Sequence, residues 1–182
     1  MRIGTLLAAA TLAAMAVPAD AGALFTGLLI HDIDTPLSKG GLEDGVDLQF
    51  GWRGERIGAL RFLGRPAPYA FASVAIGAPT HFAAAGLSWR IGSGPFYLRP
   101  AAGIAVHTRP RHVIDPNGLR GDLGSRVVFE PELGAGYRLN DRVAIEATWV
   151  HLSHAQLFGR QNPGMEAIGL RLNIALRQGR MR

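Results

Sequence analysis

The sequence predicts a transmembrane β-barrel of eight antiparallel strands, the all-β class found in the bacterial outer membrane. Three observations predict it. An export signal opens the chain, apolar and polar residues then alternate with period two, and the composition is rich in glycine but poor in charge, with 24 glycines and 18% charged residues. Period-two alternation indicates strands instead of helices.

The first 21 residues have the parts of a secretory signal peptide. Arg2 supplies a positive charge, residues 3–17 form an apolar run, and Ala19-Asp20-Ala21 fits a small-x-small cleavage site. The run is too short to span a bilayer comfortably as a helix. We therefore expect residues 1–21 to be a signal peptide and residues 22–182 to form a single β-barrel domain, exported from a bacterial cytoplasm.

Length and composition restrict the function classes. A chain of 182 residues suits one domain, and the absence of cysteine excludes disulfides, thiolate metal sites and a cysteine nucleophile. A formal charge of +5 and a pI near 10.6 would suit a phosphate-bearing partner. Charge alone does not choose between nucleic acid and anionic lipid. Since no nucleic-acid motif is present, we predict no nucleic-acid partner.

The alternation locates the strands. Val46, Leu48, Phe50 and Trp52, for example, alternate with polar or small residues. Strands of about ten residues, the length required to cross an outer membrane, are predicted at 24–31, 44–53, 66–77, 80–90, 95–107, 125–138, 142–153 and 165–177. Turn signals separate several of them. The segment 54–65 is long for a turn. Pro100 and Pro131 lie inside predicted strands, although proline cannot donate to a ladder.

The polar faces of these strands carry many charges. In a soluble sandwich such faces would contact water, and the apolar faces would form the core. In a membrane barrel the pattern is inverted, with apolar residues toward lipid and polar residues in the lumen. Export, glycine-rich alternating strands and the absence of disulfides favour the barrel. At eight strands the lumen should be plugged by a charge network instead of forming a pore.

Three residues with catalytic potential lie near the C-terminus. Along the seventh strand, His151 and Ser153 share the parity of Trp149 and of the apolar row below it. Glu166 shares the parity of the apolar row of the eighth strand. All three are therefore predicted on the outer, lipid-facing side, at the rim that lies outside the cell. Polar groups there need partners.

These residue types suit acyl transfer. His151 could take the proton of Ser153 as its hydroxyl attacks an ester carbonyl, and Glu166 could fix the imidazole tautomer. Asn162, or backbone N–H groups of the loop near residues 155 and 159, could bind the oxyanion. A histidine and a serine two residues apart are also common in purely structural strands, so the spacing by itself leaves both interpretations open.

At these residues the sequence resembles the PagL-type lipid A 3-O-deacylases, a family of eight-stranded outer-membrane barrels with a Ser-His-Glu triad. The family pattern is His-x-Ser-Asn-Ala, then a loop containing Asn-x-Gly, then Glu two residues later. Here the corresponding residues are His151-Leu152-Ser153-His154-Ala155 and Asn162-Pro163-Gly164-Met165-Glu166. The similarity continues upstream through Leu123-Gly124-Ser125-Arg126 and Gly136-Tyr137-Arg138-Leu139-Asn140-Asp141.

The resemblance implies that lipid A, within lipopolysaccharide, is the substrate, and that its 3-position acyl ester is hydrolysed without metal or cofactor. It assigns Ser153 as nucleophile, His151 as base and Glu166 as orienting acid, with Asn162 as the oxyanion candidate. His154 replaces the family's usual asparagine beside the serine and is expected to support the site. The chain also departs from the pattern at Gln156, where the family often has glycine, in a slightly longer loop, and in lacking a terminal aromatic residue.

Two other functions remain compatible with the residues. A non-enzymatic eight-stranded barrel with a structural or adhesion role would explain the alternation and the basic charge equally well. It would leave unexplained why His151, Ser153 and Glu166 share one face. An esterase acting on phospholipids would use the same triad. The sequence does not determine the oligomeric state or the acyl length accepted.

Overall fold

The strands form one closed, antiparallel sheet. The computed structural model describes residues 22–35, 38, 41–110, 118, 121–154 and 164–176. Each strand pairs with its neighbours in chain order, and the first also pairs with the last, which closes the barrel. The strands are β1 (Ala23–Ile30), β2 (Val46–Arg53), β3 (Ala67–Ile76), β4 (Phe82–Ser88), β5 (Phe96–His107), β6 (Val127–Arg138), β7 (Val143–Leu152) and β8 (Met165–Ala175). The predicted fold class is confirmed.

The strand bounds differ from the predicted ones by no more than two residues at either end. The long segment between β2 and β3 contains a short 3₁₀ helix, Gly58–Leu63. In the part of the chain that the structure describes, no helix is long and apolar enough to cross a bilayer. The predicted signal peptide lies outside the described residues.

The outer wall is apolar and the lumen is polar. Along β8, Leu170 is 58% exposed whereas the adjacent Arg171 is 1% exposed. The same alternation runs through β2, β5 and β6, where residues such as Phe50, Ile104 and Leu133 face outward. Such an exposed apolar belt is unfavourable in water and favourable in lipid, so the inverted pattern is that of a membrane barrel.

Buried ion pairs occupy the lumen, as predicted. Arg171 lies 2.7 Å from a carboxylate oxygen of Glu132 and donates to the side-chain oxygen of Gln49 at 2.8 Å. On the next level, Arg99 donates to Glu146 at 2.8 Å. These contacts join strands that are not adjacent in the sheet. They therefore cross-link the barrel through its interior, where each charge needs a partner.

An aromatic cluster shares the lumen with these charges. Phe25, Tyr69, Phe71 and Phe82 are all nearly fully buried, and the guanidinium of Arg171 lies 4.7 Å from the centre of the Phe25 ring. Sequence parity did not indicate this cluster, because β3 and β4 carry alanine and glycine on the alternate positions and look apolar on both faces. The lumen is thus filled by cation–π packing as well as by ion pairs.

A second charged cluster lies at the end of the lumen where β1 leads into β2. The imidazole of His31 contacts Asp47 at 2.9 Å and Glu43 at 3.2 Å. Arg109 reaches Asp32 at 3.0 Å beside it. Burial disfavours the imidazolium, but the hydrogen bonds and charges of Asp47 and Glu43 outweigh burial and raise the pKa of His31 to about 9.

This shift predicts a loss of stability in alkali. A folded-state pKa above the unfolded value of 6.5 means that the His31 contribution is complete below about pH 6.5 and disappears as the pH rises through about 9. We expect the thermal midpoint of the folded protein in detergent to fall between those limits. His31→Gln should remove the part of this decrease in the thermal midpoint that comes from His31. Equal pH dependence in the two proteins would contradict the assignment.

Candidate active site

His151 and Glu166 meet on the outer wall of the barrel. The β7–β8 register places them directly opposite each other. Nδ1 of His151 lies 3.1 Å from Oε1 of Glu166. An ionised carboxylate can only accept a hydrogen bond, so Nδ1 carries the proton and donates. Nε2 is then left as the basic nitrogen of the imidazole.

Trp149 contacts both members of this pair. Its indole N–H donates to Oε2 of Glu166 at 3.0 Å, and its ring stacks on the imidazole with centres 5.8 Å apart. The carboxylate therefore accepts one hydrogen bond on each oxygen, and its orientation is fixed. The sequence analysis used Trp149 only as a parity reference for this face and gave it no role in the site. The signal that could have found this role is parity, because Trp149 shares the face of His151 two residues away.

The carboxylate of Glu166 is shielded although it lies on the outward face. Its neighbour on that face, Ile168, is 40% exposed, whereas Glu166 is fully buried. The segment that follows β1 continues alongside β8 here, and the backbone N–H of Ile33 donates to the Glu166 carbonyl at 2.9 Å. His151 retains 14% exposure of its side chain. The imidazole is thus the accessible end of a buried His–Glu pair.

Ser153 continues the face of His151 just beyond the end of β7. It is held by two backbone hydrogen bonds with Phe129 of β6, at 2.8 and 3.1 Å, and is 7% exposed. Residues two apart along a strand are about 7 Å apart at their Cα atoms. In the same register Pro131 lies opposite His151, and because proline has no N–H the β6–β7 ladder is interrupted there.

Gly164 lies against the imidazole. It has φ +70°, and a Cβ at this position would lie 2.9 Å from Cε1 of His151 and 3.0 Å from Cβ of Ser38. Ser38 is itself buried, and its hydroxyl has no hydrogen-bond partner among the described residues. Gly164, in a left-handed conformation, thus lies between Ser38 of the segment after β1 and His151 of β7. Sequence reasoning did not identify Ser38.

Replacing Gly164 with alanine should impair any chemistry of His151. The new methyl group cannot avoid the imidazole, and the left-handed backbone is strained for alanine. We expect about a 100-fold loss of the ester hydrolysis expected from the sequence, the effect of a displacement near 1 Å in a reacting group, with a folded barrel. Gly77→Ala is the matched control, because φ is +90° there but the nearest atom would be 3.5 Å away. Equal activity of the two variants would contradict this prediction.

The two supporting candidates predicted from the sequence are His154 and Asn162. His154 is fully buried, and its imidazole packs against Gly124 of the segment before β6, where a Cβ would lie 2.9 Å from Nε2. It therefore lies beneath the outward face that carries Ser153. Asn162 lies outside the described residues. No group of three His, Asp or Glu side chains within the described ranges is arranged to hold a metal ion.

The apolar outer wall and the charged lumen define the chain as a small outer-membrane barrel. Its His–Glu pair forms a polar site at one rim of the outer wall. Residues 47–175 match the family model described as lipid A 3-O-deacylase (PagL). The chain belongs to this family.

A solved structure of similar fold supports the barrel, and a second was compared with it. The crystal structure of the outer membrane enzyme PagL superposes with a TM-score of 0.58 at 16% identity, covering 85% of this chain and 99% of that one. The Yersinia pestis outer membrane protein Ail gives a TM-score of 0.47 at 9% identity, with the same coverage. No curated protein sequence matches the chain significantly.

Proposed function

We propose that the protein is a serine esterase of the outer membrane that hydrolyses the ester-linked acyl chain at the 3-position of lipid A. Membership of the lipid A 3-O-deacylase family supports the substrate and the reaction. The observation that carries the mechanism is the His151–Glu166 hydrogen bond on the outward face, with Ser153 two residues further along. A purely structural barrel leaves the shared outward face of His151, Ser153 and Glu166 unexplained.

In the first step of the proposed reaction, Ser153 is acylated. Its Oγ attacks the ester carbonyl while Nε2 of His151 takes the hydroxyl proton. Glu166 holds the resulting imidazolium through Nδ1 and remains ionised. The tetrahedral intermediate then expels the sugar 3-oxygen, which receives the proton from Nε2. The sugar leaves with a free hydroxyl, and the acyl chain stays on Ser153.

In the second step water releases the acyl chain. His151 takes a proton from the water as it attacks the acyl-serine, and returns a proton to Oγ as the bond to Ser153 breaks. The products are a 3-hydroxy fatty acid and the original enzyme. Asn162 or loop N–H groups are proposed to bind the oxyanion, and His154 to hold the serine segment from below. The mechanism requires neither a metal nor a cofactor.

The outer wall below the pair suits a lipid substrate. An apolar groove runs over β7, β8, β1 and β2, and Leu28, Leu48, Ile145, Ile168 and Leu170 are among its lining residues. The groove lies along the strands that carry His151 and Glu166, a few residues toward the middle of the barrel. An acyl chain lying in this groove would stay in the lipid phase while its ester reaches the rim.

Mass spectrometry of lipid A tests the proposal. Cells that express the folded protein should yield lipid A lighter by one 3-hydroxyacyl chain than cells carrying the empty vector. Labelling of the detergent-solubilised protein by a fluorophosphonate probe should accompany this change. Unchanged lipid A from cells that contain the correctly folded barrel would refute the proposed activity. Loss of an acyl chain from phospholipid instead would reassign the substrate.

A further inference from the structure

The end of the barrel opposite the His–Glu pair contains a cavity crowded with arginine. Ala23 at the start of β1 and Ala175 at the end of β8 both line it, so it lies at the mouth where the barrel begins and ends. In the orientation predicted from the sequence, which places the His–Glu rim outside the cell, this mouth faces the periplasm. The cavity measures about 100 Å³. A buried water needs only about 10–15 Å³ by the same measure, so a tetrahedral anion fits.

The charge of the cavity lining is strongly unbalanced. Six of its described lining residues are arginines, whereas Asp141 is the one carboxylate among them. The arginines are Arg53, Arg56, Arg90, Arg99, Arg138 and Arg142. Glu146 approaches from the lumen side and contacts Arg99 at 2.8 Å and Arg53 at 3.9 Å. With both carboxylates counted and Arg56, which has interactions of its own, left out, the described residues leave an excess of three positive charges.

Several buried donors at this cavity lack an acceptor. Arg53 is 6% exposed and Asn173 is 5% exposed, and both line the cavity. Arg53 donates to the Asn173 side-chain oxygen at 2.9 Å, but Nε of Arg53 and Nδ2 of Asn173 meet no acceptor among the described residues. Nε and one terminal nitrogen of Arg90 are in the same situation. Buried donors of this kind are destabilising unless a ligand or water satisfies them.

The neighbouring charges affect Arg90 directly. Its guanidinium lies over the Tyr97 ring, 3.9 Å from the ring centre, beside the cationic Arg138. Burial and the positive charge of Arg138 lower the pKa of Arg90 below its usual range. The folded barrel therefore concentrates like charges at this mouth. An anion bound among them would relieve the repulsion.

We propose that this mouth binds a phosphate group. Guanidinium donors that converge from β2, the β4–β5 turn and the start of β7 suit an anion with several acceptor oxygens and more than one negative charge. The group could be free phosphate of the periplasm or the headgroup phosphate of a phospholipid at the inner leaflet, since the chemistry is the same. This site is independent of the esterase proposed at the other rim.

Calorimetric titration of the folded full-length protein tests the site. In zwitterionic micelles at constant ionic strength, inorganic phosphate should bind saturably with a stoichiometry of one. The double variant R90Q/R142Q should weaken binding at least about tenfold, because two charge-assisted contacts are removed. Arg61→Gln is the matched control. It removes an exposed charge at the same mouth outside the cavity lining and should leave Kd within about twofold.

Native mass spectrometry in micelles doped with phosphatidylglycerol or phosphatidylcholine distinguishes the two sources. A phosphatidylglycerol adduct that is lost in R90Q/R142Q, together with no binding of inorganic phosphate, assigns the lipid headgroup. Saturable binding of inorganic phosphate assigns the free ion. Absence of both overturns the proposal, as does an equal loss in Arg61→Gln, which would show general charge attraction only. Gel mobility of the unheated protein establishes that each variant is folded.

Discussion

Replacing Ser153 with alanine is expected to reduce deacylation by about 10⁴-fold or more while leaving a folded barrel. Loss of a serine nucleophile removes the covalent route, and the other groups of such a site then contribute little alone. The fold should survive, because Ser153 is anchored by backbone hydrogen bonds to Phe129 that alanine also makes. The measurement is the initial rate of fatty acid release from purified lipid A in detergent.

Ser93→Ala is the control for Ser153→Ala. Ser93 lies exposed in the β4–β5 turn at the opposite end of the barrel, so Ser93→Ala should keep full activity. The fluorophosphonate probe should label wild type and Ser93→Ala but not Ser153→Ala. If Ser153→Ala hydrolysed lipid A at the rate of the control, the proposed nucleophile would be wrong even if the lipid A activity itself were real.

The fold was predictable because alternation determines both the strand positions and the face of each residue. A slip of one residue would have moved Arg171 into lipid and Leu170 into the lumen, so the pattern tolerates only one register. The prediction was incomplete where both parities of a strand are apolar. In β3, Tyr69 and Phe71 alternate with alanine, so both faces of the strand are apolar. Nothing in the sequence indicates which of the two faces lines the lumen.

The outward face shared by the three candidate residues was likewise predictable from parity. What parity cannot give is which groups touch across the sheet or which loop covers them. The hydrogen bond from Trp149 to Glu166 depends on the β7–β8 pairing, and the segment after β1 reaches Glu166 through a backbone hydrogen bond from Ile33. Both join residues more than a dozen positions apart, beyond the reach of a local pattern.

Glu166→Gln is expected to reduce the rate by about 10³–10⁴-fold, the effect of losing the correct imidazole tautomer. Trp149 is the reason that this nearly isosteric change should be so damaging. Its indole N–H requires an acceptor, so the amide should present its oxygen to Trp149 and its NH₂ group to Nδ1 of His151. Nδ1 must then accept, the proton moves to Nε2, and the imidazole can no longer take the proton of Ser153.

The double variant W149F/E166Q tests this reasoning. Without the indole donor the amide can rotate, present its oxygen to Nδ1 and restore the productive tautomer. We therefore expect the double variant to be more active than Glu166→Gln alone, although Trp149→Phe by itself should lower the rate by about tenfold through loss of one hydrogen bond to the carboxylate. Additive losses in the double variant would mean that Trp149 only packs against His151 and does not orient Glu166.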